Sequence, residues 1–226
     1  HLQASPADLV VNTGDVSLNG ADLEADLEAA RRMHEEMGLP FLAVPGNHDV
    51  GGKLLPGAPG PMTPDRVQRY EDAFGASFWR RDIGNARILG LNSLLMGTGF
   101  ARENDQWMFL EQELARPATM PTIVVSHQPL FLENADEPGG DYWNVEPAPR
   151  ARLLDLLARG GVRAVLSGHI HRPLRHTVGD ILFVTTPPVS FGLPFGEQPE
   201  GWALVTVPHG DAATEATVFA LGEKVY

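Results

Sequence analysis

Apolar residues fall in short unbroken blocks, and between the blocks they recur every three or four positions. Blocks of this kind, closed by Gly, Pro or Asn, predict buried strands at Asp8–Thr13, Phe41–Val44, Ala86–Asn92, Thr122–Ser126 and Val162–Ser167. Helical spacing links them. Leu23, Leu27, Ala30 and Met37 line one stripe that Gly38 terminates, and Trp107, Leu110 and Leu114 line another within Gln106–Leu114. Shorter helices are expected over Val67–Phe74 and over Arg150–Arg159, the latter stopped by Gly160-Gly161. The first strand, helix and second strand form a βαβ unit with parallel strands. The last quarter differs: Ile181–Thr185, Trp202–Val207 and Thr214–Phe219 read as strands joined by short turns without helices. Together these predict an α/β fold, a four-layer α/β/β/α sandwich of two mixed sheets with outer helices. It is read as a single domain over residues 1–226.

Two segments break the rhythm. Gly51–Pro64 is rich in Gly and Pro and has no period; Phe131–Pro149 carries Asp136, Glu137, Asp141, Tyr142 and Trp143. Aromatic residues in such excursions (Phe131, Tyr142, Trp143 and Phe195) either wall a substrate pocket or anchor long loops to the core. Residues 187–196 form a further loop at the same end, a candidate lid.

Composition narrows the partners. With 17 basic and 29 acidic residues the formal charge is -12, which disfavours nucleic acid as a general partner and leaves no basic membrane patch. Absence of cysteine excludes disulfides, thiolate metal sites and cysteine nucleophiles. No apolar span approaches the roughly 18 residues of a membrane helix and no signal peptide is recognised, so a cytoplasmic location is the default expectation.

The chemistry lies in four short motifs at strand ends: Gly14-Asp15, Gly46-Asn47-His48-Asp49, Ser126-His127 and Gly168-His169-Ile170-His171. Ligands gather at the carboxyl ends of strands in α/β sheets, and Asp, Asn and His offer the oxygen and imidazole donors that divalent ions take. Singly, Asp15 or Asn47 could satisfy turn amides and His127 could be a hydrogen-bonded core histidine. Jointly, Asp15, Asn47, His127, His169 and His171 occupy equivalent positions and are read as metal ligands. Asp15 is the acid placed to bridge two ions. His48, beside a ligand, is read as the group that protonates a leaving oxygen. Asp49 either orients the other nitrogen of His48 or caps the Gly51-Gly52 turn.

This motif set resembles that of the calcineurin-like metallophosphoesterase family, from Asp15 to about Val207. Gly14-Asp15, Gly46-Asn47-His48-Asp49, His127 and Gly168-His169-Ile170-His171 match the last four of the family's five motifs. The resemblance implies that Asp15 bridges two ions, that Asn47, His127 and His169 serve one and His171 the other, and that His48, paired with Asp49, is the acid. It implies two divalent ions (Mn, Fe or Zn) in a complete centre and hydrolysis of phosphate esters by a metal-activated hydroxide. The D-x-H motif that opens the family pattern has no counterpart before Asp15, nor does its strand. Leu2–Ser5 is read as the tail of the missing helix, and the natural protein as longer or completed by another segment. One ion or none is therefore an open outcome for this chain.

The stretch from His127 to Leu132, with Asp136-Glu137 and Tyr142–Val145, is similar to calcineurin-like phosphoesterase domain-containing proteins described as serine/threonine phosphatases. A phosphorylated small molecule or phosphoprotein is the implied partner. Cyclic-nucleotide phosphodiesterases share the motifs, and a scaffold that has lost an ion is the non-catalytic alternative. Oligomeric state stays open.

Overall fold

The computed structural model describes residues 7–53, 60–117, 119–208, 214–220 and 223–224. The expected helix tail at Leu2–Ser5 lies outside these residues. The described elements are β1 (Val10–Asn12), α1 (Glu24–Glu36), β2 (Phe41–Ala43), α2 (Asn47–Val50), α3 (Pro64–Phe74), β3 (Trp79–Ile83), β4 (Ala86–Gly90), α4 (Ala101–Leu114), β5 (Thr122–Val125), α5 (Pro147–Arg159), β6 (Val162–Ser167), β7 (Leu174–Val178), β8 (Ile181–Thr185), β9 (Gly201–Thr206), β10 (Glu215–Ala220) and β11 (Glu223–Lys224).

Six strands form one mixed sheet in the order β3-β4-β5-β6-β8-β7. Its four central strands are parallel, and the edge strands β3 and β7 run antiparallel to their neighbours. Strand alternation sorts its side chains onto two faces. Val124, Val165, Ile181 and Phe183 pack with Trp107, Leu110 and Leu114 of α4 and Leu153, Leu156 and Leu157 of α5. Ile123, Val125, Ala164, Leu166, Leu182 and Val184 face the other way, against Val11, Val44, Ala203, Val205 and Ala216.

That second layer is in two hydrogen-bonded pieces, the parallel pair β1-β2 and the antiparallel ribbon β11-β10-β9. Trp79 Nε1 donates to the Ala43 carbonyl at 2.7 Å and Arg175 Nη1 to that of Ala216 at 2.8 Å, so each piece is tied to the large sheet. Beyond β1-β2, Leu27 of α1 joins Val67 and Tyr70 of α3, and the rings of His34 and Phe74 sit on Phe41. The order of layers is therefore helix, sheet, sheet, helix, as the sequence pattern predicts, with the second sheet divided.

Elements without an apolar block were not anticipated. β3 and β7 are half-exposed edge strands carrying Arg80, Arg81, Asp82, Arg175 and His176, a charged dress that protects sheet edges from further pairing. α2 is a single turn inside a chemical motif, where no period can show. Parallel β1, β2, β5 and β6 bring Asp15, Asn47, His127 and His169 to one end of the molecule. Among the described residues no helix is long and apolar enough to cross a membrane.

Candidate metal centre

Three glycines let the motif loops interlock. A Cβ on Gly14 would lie 2.4 Å from His127 Nδ1, one on Gly46 would lie 2.1 Å from Asp15 Oδ1, and one on Gly168 would lie 2.7 Å from Thr13 Oγ1. Asp15, His169 and His171 take left-handed backbone angles, φ 55°, 71° and 54°. Non-glycine residues there cost about 1–3 kcal/mol each and persist where the surroundings hold them, commonly at functional sites.

His127 is the hub. Its Nδ1 is 2.8 Å from the Thr13 carbonyl, which can only accept, so Nδ1 carries the hydrogen and Nε2 keeps its lone pair in the neutral ring. Nε2 lies 3.0 Å from Asn47 Oδ1, 3.0 Å from His169 Nδ1 and 3.3 Å from Asp15 Oδ2. His169 is oriented the same way, with Nε2 at 3.1 Å from the Tyr142 carbonyl and Nδ1 turned inward. Asn47 Nδ2 donates to the Tyr142 hydroxyl at 2.8 Å, which turns Oδ1 toward His127.

Two imidazole nitrogens, an amide oxygen and a carboxylate oxygen thus face one another without a hydrogen among them. Lone pairs repel unless a proton or a cation sits between. Ligand atoms of Asp15, His127 and His169 all lie within 4.8 Å of one another, a cluster able to hold a metal ion. The donor set fits a borderline divalent cation.

The same donors set one another's affinity for protons. Burial works to raise the Asp15 pKa, but the His127 charge and hydrogen bond and then His48 outweigh it and hold the carboxyl well below its usual range. Burial works to lower the His127 pKa, yet Asp15 and the Thr13 carbonyl raise it above the ordinary value. Burial, then the charge on His127, pushes His169 down to about 3. His127 is therefore the more basic of the two imidazoles and His169 the less basic.

Among the predicted ligands, His171 stands outside the cluster. Its Nδ1 is 2.9 Å from the Phe191 carbonyl, which leaves Nε2 with a free lone pair. His48 joins the site through its backbone, donating N–H to Asp15 Oδ1 at 2.9 Å. Its ring Nδ1 sits 2.8 Å from the Leu18 carbonyl.

Asp49 corrects both expectations for it. It orients neither His48 nor the Gly51-Gly52 turn: Oδ2 accepts from Gly46 N at 2.8 Å and Val16 N at 3.1 Å, and Oδ1 from Ser17 N at 3.0 Å and Ser17 Oγ at 2.7 Å. The Leu18 carbonyl takes the place foreseen for Asp49 beside His48. Burial, then the Asp15 charge, raises the fully buried Asp49 carboxyl to about 6, with the Ser17 and Gly46 hydrogen bonds opposing. It ties the loop after β1 to the first turn of α2.

The aromatic residues divide. Phe131 is buried against Phe183 and anchors its loop to the core. Tyr142 orients Asn47 through its hydroxyl and His169 through its carbonyl. Burial, then the Asp15 charge, raises the Tyr142 phenol to about 12, so it stays protonated. Lys53, which no motif marked, fastens this segment by donating to the Asp141 carbonyl at 2.6 Å, the Asn144 carbonyl at 2.5 Å and Glu146 Oε1 at 2.7 Å.

A model of the calcineurin-like phosphoesterase family matches residues 1–173. A serine/threonine-protein phosphatase CPPED1 from Pongo abelii is 32% identical over 177 residues, 75% of this chain and 52% of that protein. A probable cyclic nucleotide phosphodiesterase from Synechococcus is 29% identical over 211 residues, 92% of this chain and 75% of its own length. The fold is also that of a yellow lupin purple acid phosphatase, with a TM-score of 0.63 over 89% of this chain and 42% of that one at 15% identity. The chain spans about half the length of the phosphatase relatives it matches, 52% and 56% for the orangutan and human proteins. By its fold, its interlocked motif loops and its match to the family pattern, the chain belongs to the calcineurin-like phosphoesterase family.

Proposed function

We propose that this chain carries the ion-binding and proton-donating core of a hydrolase for phosphate monoesters, phosphoprotein side chains included. The observation that supports the reading is the convergence of Asp15, Asn47, His127 and His169 donor atoms on one point. These four would hold one divalent ion, and His171 would contribute Nε2 to a second shared through Asp15. Bound ions would supply positive charge for the phosphoryl oxygens and lower the pKa of water. Mn²⁺, Fe and Zn²⁺ all suit mixed nitrogen and oxygen donors.

The reaction adds water across the ester: an oxygen joins phosphorus, the P–O ester bond breaks, and the leaving oxygen takes a proton. His48 is the residue assigned to that proton. The Leu18 carbonyl fixes its ring through Nδ1, and its amide on Asp15 holds it beside the donor cluster. Nε2 is then left for the leaving group.

The test is a leaving-group series with added Mn²⁺. His48→Ala should retain metal and slow alkyl phosphates about 10²-fold, with far less effect on p-nitrophenyl phosphate, whose leaving group needs no acid. Asp15→Ala should lose both metal and turnover. Equal slowing of every ester by His48→Ala would contradict the proton-donor role. Fewer than one bound ion per chain with no hydrolysis would leave a binding role only.

Diester cleavage is the second reading, favoured by the breadth of the alignment with the cyanobacterial phosphodiesterase. Faster hydrolysis of bis(p-nitrophenyl) phosphate than of the monoester would select it.

A further inference from the structure

Exposed apolar side chains gather beside the site histidines. Trp143 is 38% exposed, with its ring 5.6 Å from His169 and edge-on to Tyr142 at 5.0 Å. Phe195 is 72% exposed and stacks on Phe191 at 4.8 Å and 20°, while Phe191 lies 4.6 Å from the His171 ring. Leu18, also exposed, is the residue whose carbonyl holds His48. His169 and His171 therefore each have an exposed aromatic side chain next to them or one ring away. Loop anchoring does not explain Trp143, because the anchoring of its segment is done by buried Phe131, by Lys53 and by Glu137, which accepts the Leu132 and Glu133 amides.

Large apolar side chains grouped on a surface mark a place that a ligand covers. Flat rings offer area at little entropic cost and favour stacked or edge-on partners.

We infer that Trp143 and Phe195 receive an aromatic or similarly flat apolar group of the substrate, one carried on the ester oxygen. This rests on the phosphoester reading above and adds the substrate class. The phosphoryl group faces Asp15, Asn47, His127 and His169; the aromatic group lies against Trp143 and Phe195. These two are assigned to specificity and take no part in the chemical step.

Phenethyl phosphate and ethyl phosphate test this, because both leave as primary alkoxides and differ in the ring. With Mn²⁺ present, the wild-type protein should favour phenethyl phosphate in kcat/KM by about tenfold or more, the range a well-formed apolar contact supplies. Phe195→Ser and Trp143→Ser should each bring that ratio down about threefold or more, mainly through KM. Met33→Ser and Met108→Ser, at exposed apolar positions on α1 and α4, should leave the ratio as it is. Calorimetric binding of phenylphosphonate and methylphosphonate supplies a readout without turnover and should show the same preference and the same losses. A wild-type ratio near one, or a ratio that neither rim variant changes, overturns the inference and leaves the phosphoesterase reading standing. No turnover of either ester and no binding of either phosphonate overturns that reading and the inference with it.

Discussion

Gly46 has an ordinary backbone, φ -106°, yet no side chain fits there because a Cβ would meet Asp15 Oδ1. Its role is close approach, not turn geometry. Gly46→Ala should therefore displace the carboxylate and weaken Mn²⁺ binding more than about tenfold, measured by calorimetry. Tyr142→Phe removes the acceptor that orients the Asn47 amide and should cost about 10- to 100-fold in the same measurement, the usual effect of losing a group that orients a ligand. Unaltered affinity in Tyr142→Phe would mean that Asn47 is not a ligand. At this scale the donors were legible, since Asp15, Asn47, His127 and His169 each follow an apolar block. Their supports were not. Asp49 reaches back to Val16 and Ser17, 33 and 32 residues earlier, and Tyr142 reaches Asn47 across 95 residues. No local spacing encodes such pairs.

Among the elements, interior strands announce themselves and edge strands do not. β5 (TIVV) and β8 (ILFVT) are buried throughout and read as plain apolar runs. β3 (WRRDI) and β7 (LRHTV) put charge toward solvent and left no such trace. The segment between β5 and α5 read as an irregular excursion, and the structure gives it fixed anchors at both ends. Buried Arg150 binds the Glu137 carbonyl and, with Nη1 at 3.4 Å, that of Leu130, while Lys53 holds Asp141, Asn144 and Glu146. Lys53→Met keeps the stem and removes the charged hydrogen bonds, at a cost of about 1.5–3 kcal/mol. Hydrogen exchange should then accelerate in residues 137–146 with β5 unchanged, and Mn²⁺ affinity should fall because Tyr142 sits in this segment. Unchanged exchange there would show that the other contacts suffice.

For the whole molecule, the donor cluster couples folding to protons and, on the proposed reading, to cations. Asp15 has a lowered pKa, so its contribution to stability is present above the unfolded value of 3.8 and lost as pH falls through the folded one. His127 has a raised pKa, so its contribution is full below 6.5 and lost as pH rises through the folded value. Asp49, raised to about 6, makes the fold less stable as pH climbs from 3.8 toward that value. A cation held among these donors would compete with protons for His127. The increase in Tm on adding Mn²⁺ should accordingly grow from about pH 6 to about pH 8, as proton release on metal binding requires. A shift independent of pH would place the ion elsewhere. The most direct measurement is anomalous diffraction from crystals grown with Mn²⁺. A peak is expected at about 2.0–2.3 Å from His127 Nε2, His169 Nδ1, Asn47 Oδ1 and Asp15 Oδ2, distances usual for bonds between such donors and a divalent ion. A map with no peak among those four atoms, at saturating manganese and with the protein folded, would show that they hold no ion.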